Sequence, residues 1–302
     1  MDILVVGSVA FDSVETPFGK ADEVLGGSAT YFSTSASYFA KVGIVAVVGE
    51  DFPDEHVEML NSKDIDTRGL QKVAGKTFRW KGRYEYDLNQ AHTLDTQLNV
   101  FSSFDPTLPE DYKDAEIVFL ANIDPELQMK VLDQVKNPRI VACDTMNFWI
   151  EGKKDALKKL FKRVEILVIN EGEAREFAEE PNLVKAAAMI LGCGPKTLII
   201  KRGEYGALMF NGESVFSAPA YPLEDIFDPT GAGDSFAGGF IGHLAATGDL
   251  SEASIRKAII YGSVMASFNV EAFSLDRLSG LDRESIDSRY AEFQRLTHFE
   301  GI

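Results

Sequence analysis

Six short runs rich in Val, Ile and Leu, at 3–6, 44–48, 117–120, 140–142, 166–169 and 198–200, recur along a chain of 302 residues. Runs of this length that are apolar at every position suit strands buried on both faces of a sheet. Between most of them lie segments with helical spacing, at 28–41, 53–61, 126–135, 153–162 and 182–191. That alternation predicts an α/β fold in which a mostly parallel central sheet carries helices on both faces. Three further helices are expected at 235–246, 251–268 and 282–296. One stretch breaks the pattern: 76–101 alternates polar with aromatic or aliphatic residues, as antiparallel strands do. Together with 11–27 it is read as a small β-sheet lid standing off the main sheet. No repeat, linker or low-complexity run divides the chain, so 1–302 is read as one domain with the lid, about 11–27 and 76–104, inserted in its core.

In an open parallel sheet, ligands bind outside the carboxyl ends of the strands, and polar residues collect there. Asp12 follows the first run and Asn122 the third; Asp144 and Asn147 follow the fourth, Asn170 the fifth and Lys201 the sixth. The set points to one polar rim, although each member taken singly is also an ordinary loop or cap residue.

Charge narrows the partners. Thirty basic against 47 acidic residues leave a net charge of -17, which argues against nucleic-acid backbones and anionic membrane surfaces. No apolar run is long enough to span a bilayer, and Met1-Asp2 leads into the first strand without a basic leader, so a cytoplasmic location is expected. Cys143 and Cys193 read as small apolar residues of a reducing compartment. The four histidines, His56, His92, His243 and His298, show no metal-ligand spacing.

The segment 228–240, DPTGAGDSFAGGF, runs from glycines directly into a helical pattern. Glycine in a helix costs about 1 kcal/mol against alanine, so the cluster implies a close approach by something else. Unobstructed N–H groups of Gly231, Ala232 and Gly233 at a helix start form an anion site aided by the helix dipole. Asp234 sits within that cradle, where its charge repels a phosphate. The conflict disappears if Asp234 is a general base on a hydroxyl while the amides hold the transferring phosphoryl group. A capping aspartate among close-packed glycines is the alternative. The stretch NEGE, 170–173, is equally two-sided: Asn170 and Glu173 form a capping box, or they hold Mg²⁺ through waters. Neither a G-x-x-x-x-G-K-[ST] loop, a G-x-G-x-x-G after the first strand, nor a G-x-S-x-G elbow is present.

With VVGSVAFD, GGSATYF, NEGE, KRGEYGALMF and DPTGAGDSFAGGF in this order, the chain resembles the ribokinase-like (PfkB) carbohydrate kinases along nearly its whole length. The resemblance implies ATP and Mg²⁺ as cofactors and transfer of the γ-phosphoryl to a hydroxyl, usually a primary alcohol, of a sugar or a nucleoside. It implies Asp234 as catalytic base, Gly231, Ala232 and Gly233 as anion hole, Asn170 and Glu173 as the magnesium and phosphate motif, and Lys201, Gly203 and Gly206 near the ATP phosphates. Asp228 opens the loop that in some members helps hold a monovalent cation such as K⁺. Asp12 matches a hydroxyl-binding aspartate, and Gly26 and Gly27 the paired glycines against which the acceptor lies.

Two departures qualify the acceptor. Tyr31 stands where an asparagine commonly binds sugar hydroxyls, and the usual Asp-x-Asn with a following arginine appears as DTMNFW. A sugar or sugar-like acceptor is expected, with a nucleoside as the alternative and a catalytically silent nucleotide-binding regulator as a further one. In the lid, Trp80, Tyr84 and Tyr86 are read as stacking on the acceptor or as the lid's own core, and Arg79, Lys81 and Arg83 as a solvated face or an anion contact. The strand edge of such a lid invites pairing with a second copy, so a homodimer through the lid is expected.

Overall fold

In the computed structural model, which describes residues 1–212 and 214–298, the strands form two sheets. The strands are β1 (Ile3–Val6), β2 (Ala10–Thr16), β3 (Gly19–Gly26), β4 (Val42–Gly49), β5 (Ile65–Val73), β6 (Phe78–Tyr84), β7 (Ala91–Gln97), β8 (Ile117–Leu120), β9 (Ile140–Cys143), β10 (Ile166–Asn170), β11 (Thr197–Lys201), β12 (Ala207–Phe210) and β13 (Val215–Ala218). The helices are α1 (Ser28–Ala36), α2 (Asp54–Ser62), α3 (Pro125–Leu132), α4 (Asn147–Gly152), α5 (Lys154–Phe161), α6 (Glu171–Ala178), α7 (Leu183–Leu191), α8 (Ala232–Thr247), α9 (Glu252–Asn269) and α10 (Arg283–Thr297).

The larger sheet has the order β13-β12-β11-β10-β9-β8-β1-β4-β5. It is parallel from β11 to β5, with β12 and β13 antiparallel at one edge. Alternate residues of each strand serve opposite cores. Ile3 and Val5 of β1 pack with Phe32 of α1, Phe236 and Phe240 of α8 and Ile259 of α9, whereas Leu4 and Val6 pack with Leu157 of α5, Phe177 of α6 and Ile190 of α7. The strand order reverses between β1 and β8, the place where an open α/β sheet leaves a crevice at its carboxyl ends.

Helix α8 is pressed between α1 and α9. A Cβ on Gly238 would collide with the carbonyl oxygen of Phe32, and one on Gly239 would come within 2.6 Å of Met265. This close approach accounts for glycines that helix propensity disfavours. Several elements differ from the sequence expectation. Helix α1 stops at Ala36 rather than 41, because its last turn is built of Ser and Thr and Phe39 turns aside to pack edge-on against Tyr261. Strand β5, with the polar sequence IDTRGLQKV, pairs among the described residues only with β4, and the β12–β13 hairpin adds an unexpected antiparallel edge.

The smaller sheet, β3-β2-β6-β7, is mixed rather than wholly antiparallel, since its two hairpins join through the parallel pair β2 and β6. The cause is topological: β2 leaves the carboxyl end of β1 and β6 that of β5, so both run away from the same rim. Register places Ala10, Asp12 and Val14 beside Phe78, Trp80 and Gly82 on one face. Trp80 lies over Gly82 and donates its indole N–H to Thr93 Oγ1 at 3.2 Å, while Tyr84 is buried and Tyr86 is 90% exposed. The basic residues take the other face. Arg79 is held by Glu23 (2.7 Å) and Asp51 (2.9 Å), Arg83 lies 3.4 Å from Glu85, and Lys81 is exposed. The lid meets the core at several points, among them the Thr16 hydroxyl, which donates to the Phe227 carbonyl at 2.9 Å. The Tyr84 and Thr230 hydroxyls are 3.4 Å apart, and Asn89 Oδ1 accepts the Glu204 N–H at 3.2 Å.

Candidate active site

Asp234 occupies the first turn of α8, where helix N–H groups and the dipole favour negative charge. Gly231 precedes the helix at φ +75°, a left-handed conformation that suits glycine, and a Cβ there would overlap the Tyr31 ring. The expected trio of open amides is reduced by one, because the Ala232 N–H donates to the Pro229 carbonyl at 3.1 Å in a tightened first turn. The N–H groups of Gly231 and Gly233 make no such bond among the described residues. Lys201, at the end of β11, brings its ammonium to this helix start: a Cβ on Gly233 would stand 2.8 Å from Nζ.

Lys201 Nζ also lies 2.9 Å from Asp144 Oδ2, and both side chains are largely buried. Asp144 ends the β9 segment and takes the Thr145 N–H at 2.8 Å on its other oxygen. Beside them both halves of the capping box form: Glu173 Oε2 accepts the Asn170 N–H at 2.7 Å, and Asn170 Oδ1 accepts the Glu173 N–H at 2.8 Å. Burial pushes the Glu173 carboxyl up, Asp144 adds to this, and Lys201 opposes it. Burial lowers the Lys201 ammonium, yet Asp144, Glu173 and Asp234 outweigh it and the net shift is upward. For Asp234, burial and then Asp144 raise the pKa to about 7 against the pull of Lys201. Asp144, Glu173, Lys201 and Asp234 thus form one electrostatic group.

A second group faces it. Asp12, on β2, is buried and has its pKa raised to about 7, mainly by burial, partly offset by the Gly27 N–H, with Asp228 and Asp234 adding their repulsion. Its carboxylate covers the bare face of Gly26, and Gly27 enters α1 at φ +95° against the Ser8 carbonyl. Tyr31 is buried beside Gly231. Asp228 ties its own loop to the segment after α9, accepting N–H groups from Thr230 (2.9 Å) and Ser274 (3.5 Å), and burial raises its pKa.

Other expected residues fall outside these groups. The open face of Gly203 is covered by Asn89 of the lid, and Gly206, at φ +83°, turns the chain against the Ala218 carbonyl between β11 and β12. Asn122 accepts the Trp149 indole N–H at 3.1 Å and Asn147 bonds Glu176, so both are occupied in holding loops. Asp144 was given no role of its own by the sequence; its signals were its place just past a strand and at the head of DTMNFW.

A carboxyl with a pKa near 7 in the folded chain and 3.8 otherwise binds its proton more tightly when folded. Its contribution to stability is therefore present at low pH and is lost as pH rises from about 4 to about 7. The melting temperature is expected to be higher near pH 6 than near pH 8, with a smaller difference in Asp12→Asn. Melts of that variant with the parent's pH slope would contradict the burial-raised carboxyl.

The residues suit a phosphate-bearing ligand with a hydrated divalent ion: two open amides and an ammonium for anionic oxygens, Asp144 and Glu173 for a cation. Among the described residues no cluster of three or more His, Cys, Asp or Glu is placed to hold a metal by itself, and Mg²⁺ beside phosphates needs only one or two carboxylates. No helix of the described chain is long and apolar enough to cross a membrane.

Comparison with known proteins finds similar kinases. A cytidine kinase of Thermococcus kodakarensis is 35% identical over 246 residues, covering 80% of this chain and 87% of that protein. A nucleoside kinase of Methanothermobacter thermautotrophicus is 26% identical over 297 residues, covering 89% of each. Among solved structures, the nucleoside kinase of Methanocaldococcus jannaschii superposes with a TM-score of 0.77 at 20% identity, covering 97% of this chain and 99% of that one. A putative ribokinase II from E. coli, in complex with ATP and Mg²⁺, gives 0.77 at 19% with coverage of 97% and 99%. The pfkB family carbohydrate kinase model matches residues 5–278, and the chain belongs to that family of kinases.

Proposed function

We propose that the chain is an ATP-dependent nucleoside kinase that phosphorylates a primary hydroxyl of a ribonucleoside. The observation that carries the phosphotransfer is Asp234 in the first turn of α8, beside the Lys201 ammonium and with its pKa raised to about 7. A base poised there is half ionised near neutral pH and matched to removing a proton from an alcohol. The 35% identity to a cytidine kinase over most of both chains supports a nucleoside in preference to a free sugar.

In this reading Asp12 holds the acceptor by its hydroxyls, and Asp234 takes the proton of the hydroxyl that attacks. The N–H groups of Gly231 and Gly233, with Lys201, receive negative charge that moves toward the helix start. Asp144 fixes the position of Lys201 and, with Glu173, offers a carboxylate to the hydrated metal. Bound ATP supplies the phosphoryl group and Mg²⁺ neutralises its charge. The lid, docked through Tyr84 and Asn89, excludes water that would otherwise compete as acceptor.

Release of ADP, followed with ATP-Mg²⁺ across cytidine, other nucleosides, pentoses, hexoses and polyols, tests the reading. Turnover confined to free sugars would overturn the nucleoside assignment. For the metal, Glu173→Gln keeps an acceptor for the capping box and removes the charge. The Mg²⁺ concentration for half-maximal rate is expected to rise about tenfold. An unchanged metal titration would leave Glu173 as a helix cap alone.

A further inference from the structure

The peptide unit between Thr230 and Gly231 supplies one of the open amides at the start of α8, and a side chain from α9 holds it in place. A planar trans peptide points its carbonyl and its N–H in opposite directions, so whatever fixes the Thr230 carbonyl also aims the Gly231 N–H. That carbonyl accepts the side-chain amide of Asn269, the last residue of α9, at 2.8 Å. Asn269 is 1% exposed and lies 39 positions further along the chain.

A second bond sets which way round the Asn269 amide sits. The Ser235 hydroxyl donates to Asn269 Oδ1 at 2.9 Å, which leaves the Nδ2 donor for Thr230. Ser235 is buried in the first turn of α8, directly after Asp234, and its carbonyl accepts the Ser35 hydroxyl of α1 at 2.7 Å. Thr230 and Ser235 stand on either side of Gly231 and Gly233. Asn269 therefore bridges both ends of the segment that presents the open amides.

Gly231 is the reason such a bridge matters. At φ +75° and without a Cβ, glycine lets the peptide before it rotate free of the steric penalty that other residues impose. A flipped peptide would turn the Thr230 carbonyl oxygen, in place of the Gly231 N–H, toward the incoming negative charge. Attraction would become repulsion at the point where charge develops.

We propose that Asn269 is a positioning residue for phosphoryl transfer, locking the Thr230–Gly231 peptide so that the Gly231 N–H faces the transferring group. This rests on the kinase reading, whichever alcohol is the acceptor.

Two variants test it. Asn269→Leu keeps the side-chain size and removes both polar atoms, while Ser235→Ala removes only the bond that orients the amide. The expected fall in kcat is roughly 100-fold for the first, as for loss of one oxyanion-hole donor, and about tenfold for the second. KM for ATP and for the acceptor should stay within about threefold of the parent's. Thermal stabilisation separates positioning from general loosening. ADP-Mg²⁺ should stabilise parent and variants alike. The further stabilisation that aluminium fluoride adds with the acceptor present, as a mimic of the phosphoryl group in flight, should be largely lost in the variants. A kcat within about threefold of the parent's in Ser235→Ala would overturn the assignment whether or not Asn269→Leu folds. So would loss of both stabilisations together, which would mark the bridge as a support of the fold alone. A parent that phosphorylates no alcohol would overturn the kinase reading and the proposal with it.

Discussion

Asp234→Asn is expected to lower kcat roughly 100- to 10,000-fold while nucleotide binding persists. The substitution is nearly isosteric, so the start of α8, the open amides of Gly231 and Gly233 and the Lys201 ammonium keep their places. Only proton acceptance is removed. The parent's rate should fall on the acid side as Asp234 and Asp12 protonate near pH 7, and the residual rate of the variant should lose the Asp234 part of that limb. ADP release measures the first effect and thermal stabilisation by ATP-Mg²⁺ the second. Turnover like the parent's would remove Asp234 from the chemistry. Loss of ATP-induced stabilisation would make it a binding residue.

Lys201→Met should be comparably damaging for a different reason. The ammonium is the only cation acting on both Glu173 and Asp234 among the causes that set their pKa values, and it pairs with buried Asp144 at 2.9 Å. Removing one partner of such a pair leaves the other uncompensated, at a cost of about 3 kcal/mol. Turnover is expected to fall roughly 100-fold or more through loss of charge stabilisation. Two further signs follow. Without the pull of Lys201 the Asp234 carboxyl titrates higher, so the acid limb of the rate profile moves to higher pH. The loss of thermal stability should also be greater near pH 8 than near pH 6, because protonation relieves the crowded carboxyls. A profile and a stability difference that do not depend on pH would refute the shared electrostatics.

The alternation of apolar runs made the parallel sheet legible, because a strand buried on both faces has no room for polar residues. The same logic concealed β5: as an edge strand partnered only by β4, it carries Asp66, Arg68 and Lys72 in ion pairs. Polar patterning marked 76–101 as lid strands, but not the parallel joint between its hairpins, which depends on where the chain leaves the main sheet. In the site, the residues near the α8 start were readable because glycines are costly there without a neighbour. Asp144 was placed on the polar rim and at the head of DTMNFW, but its pairing was not readable until Lys201, 57 positions later, is folded onto it. Nor could spacing reveal that Ala232 uses its amide within the first turn, or that Asn89 reaches Gly203; both depend on local geometry.

The tight seating of α8 on α1 and α9 separates what this scaffold can vary from what it cannot. Because Gly238 lies against the Phe32 carbonyl, even one added methyl group would force α8, which carries Asp234 at its start, to shift. The outward surfaces of the two hairpins carry no such restriction. A search for catalysts of new alcohols from this parent is best concentrated on the hairpins, with the helix kept as an invariant hearth.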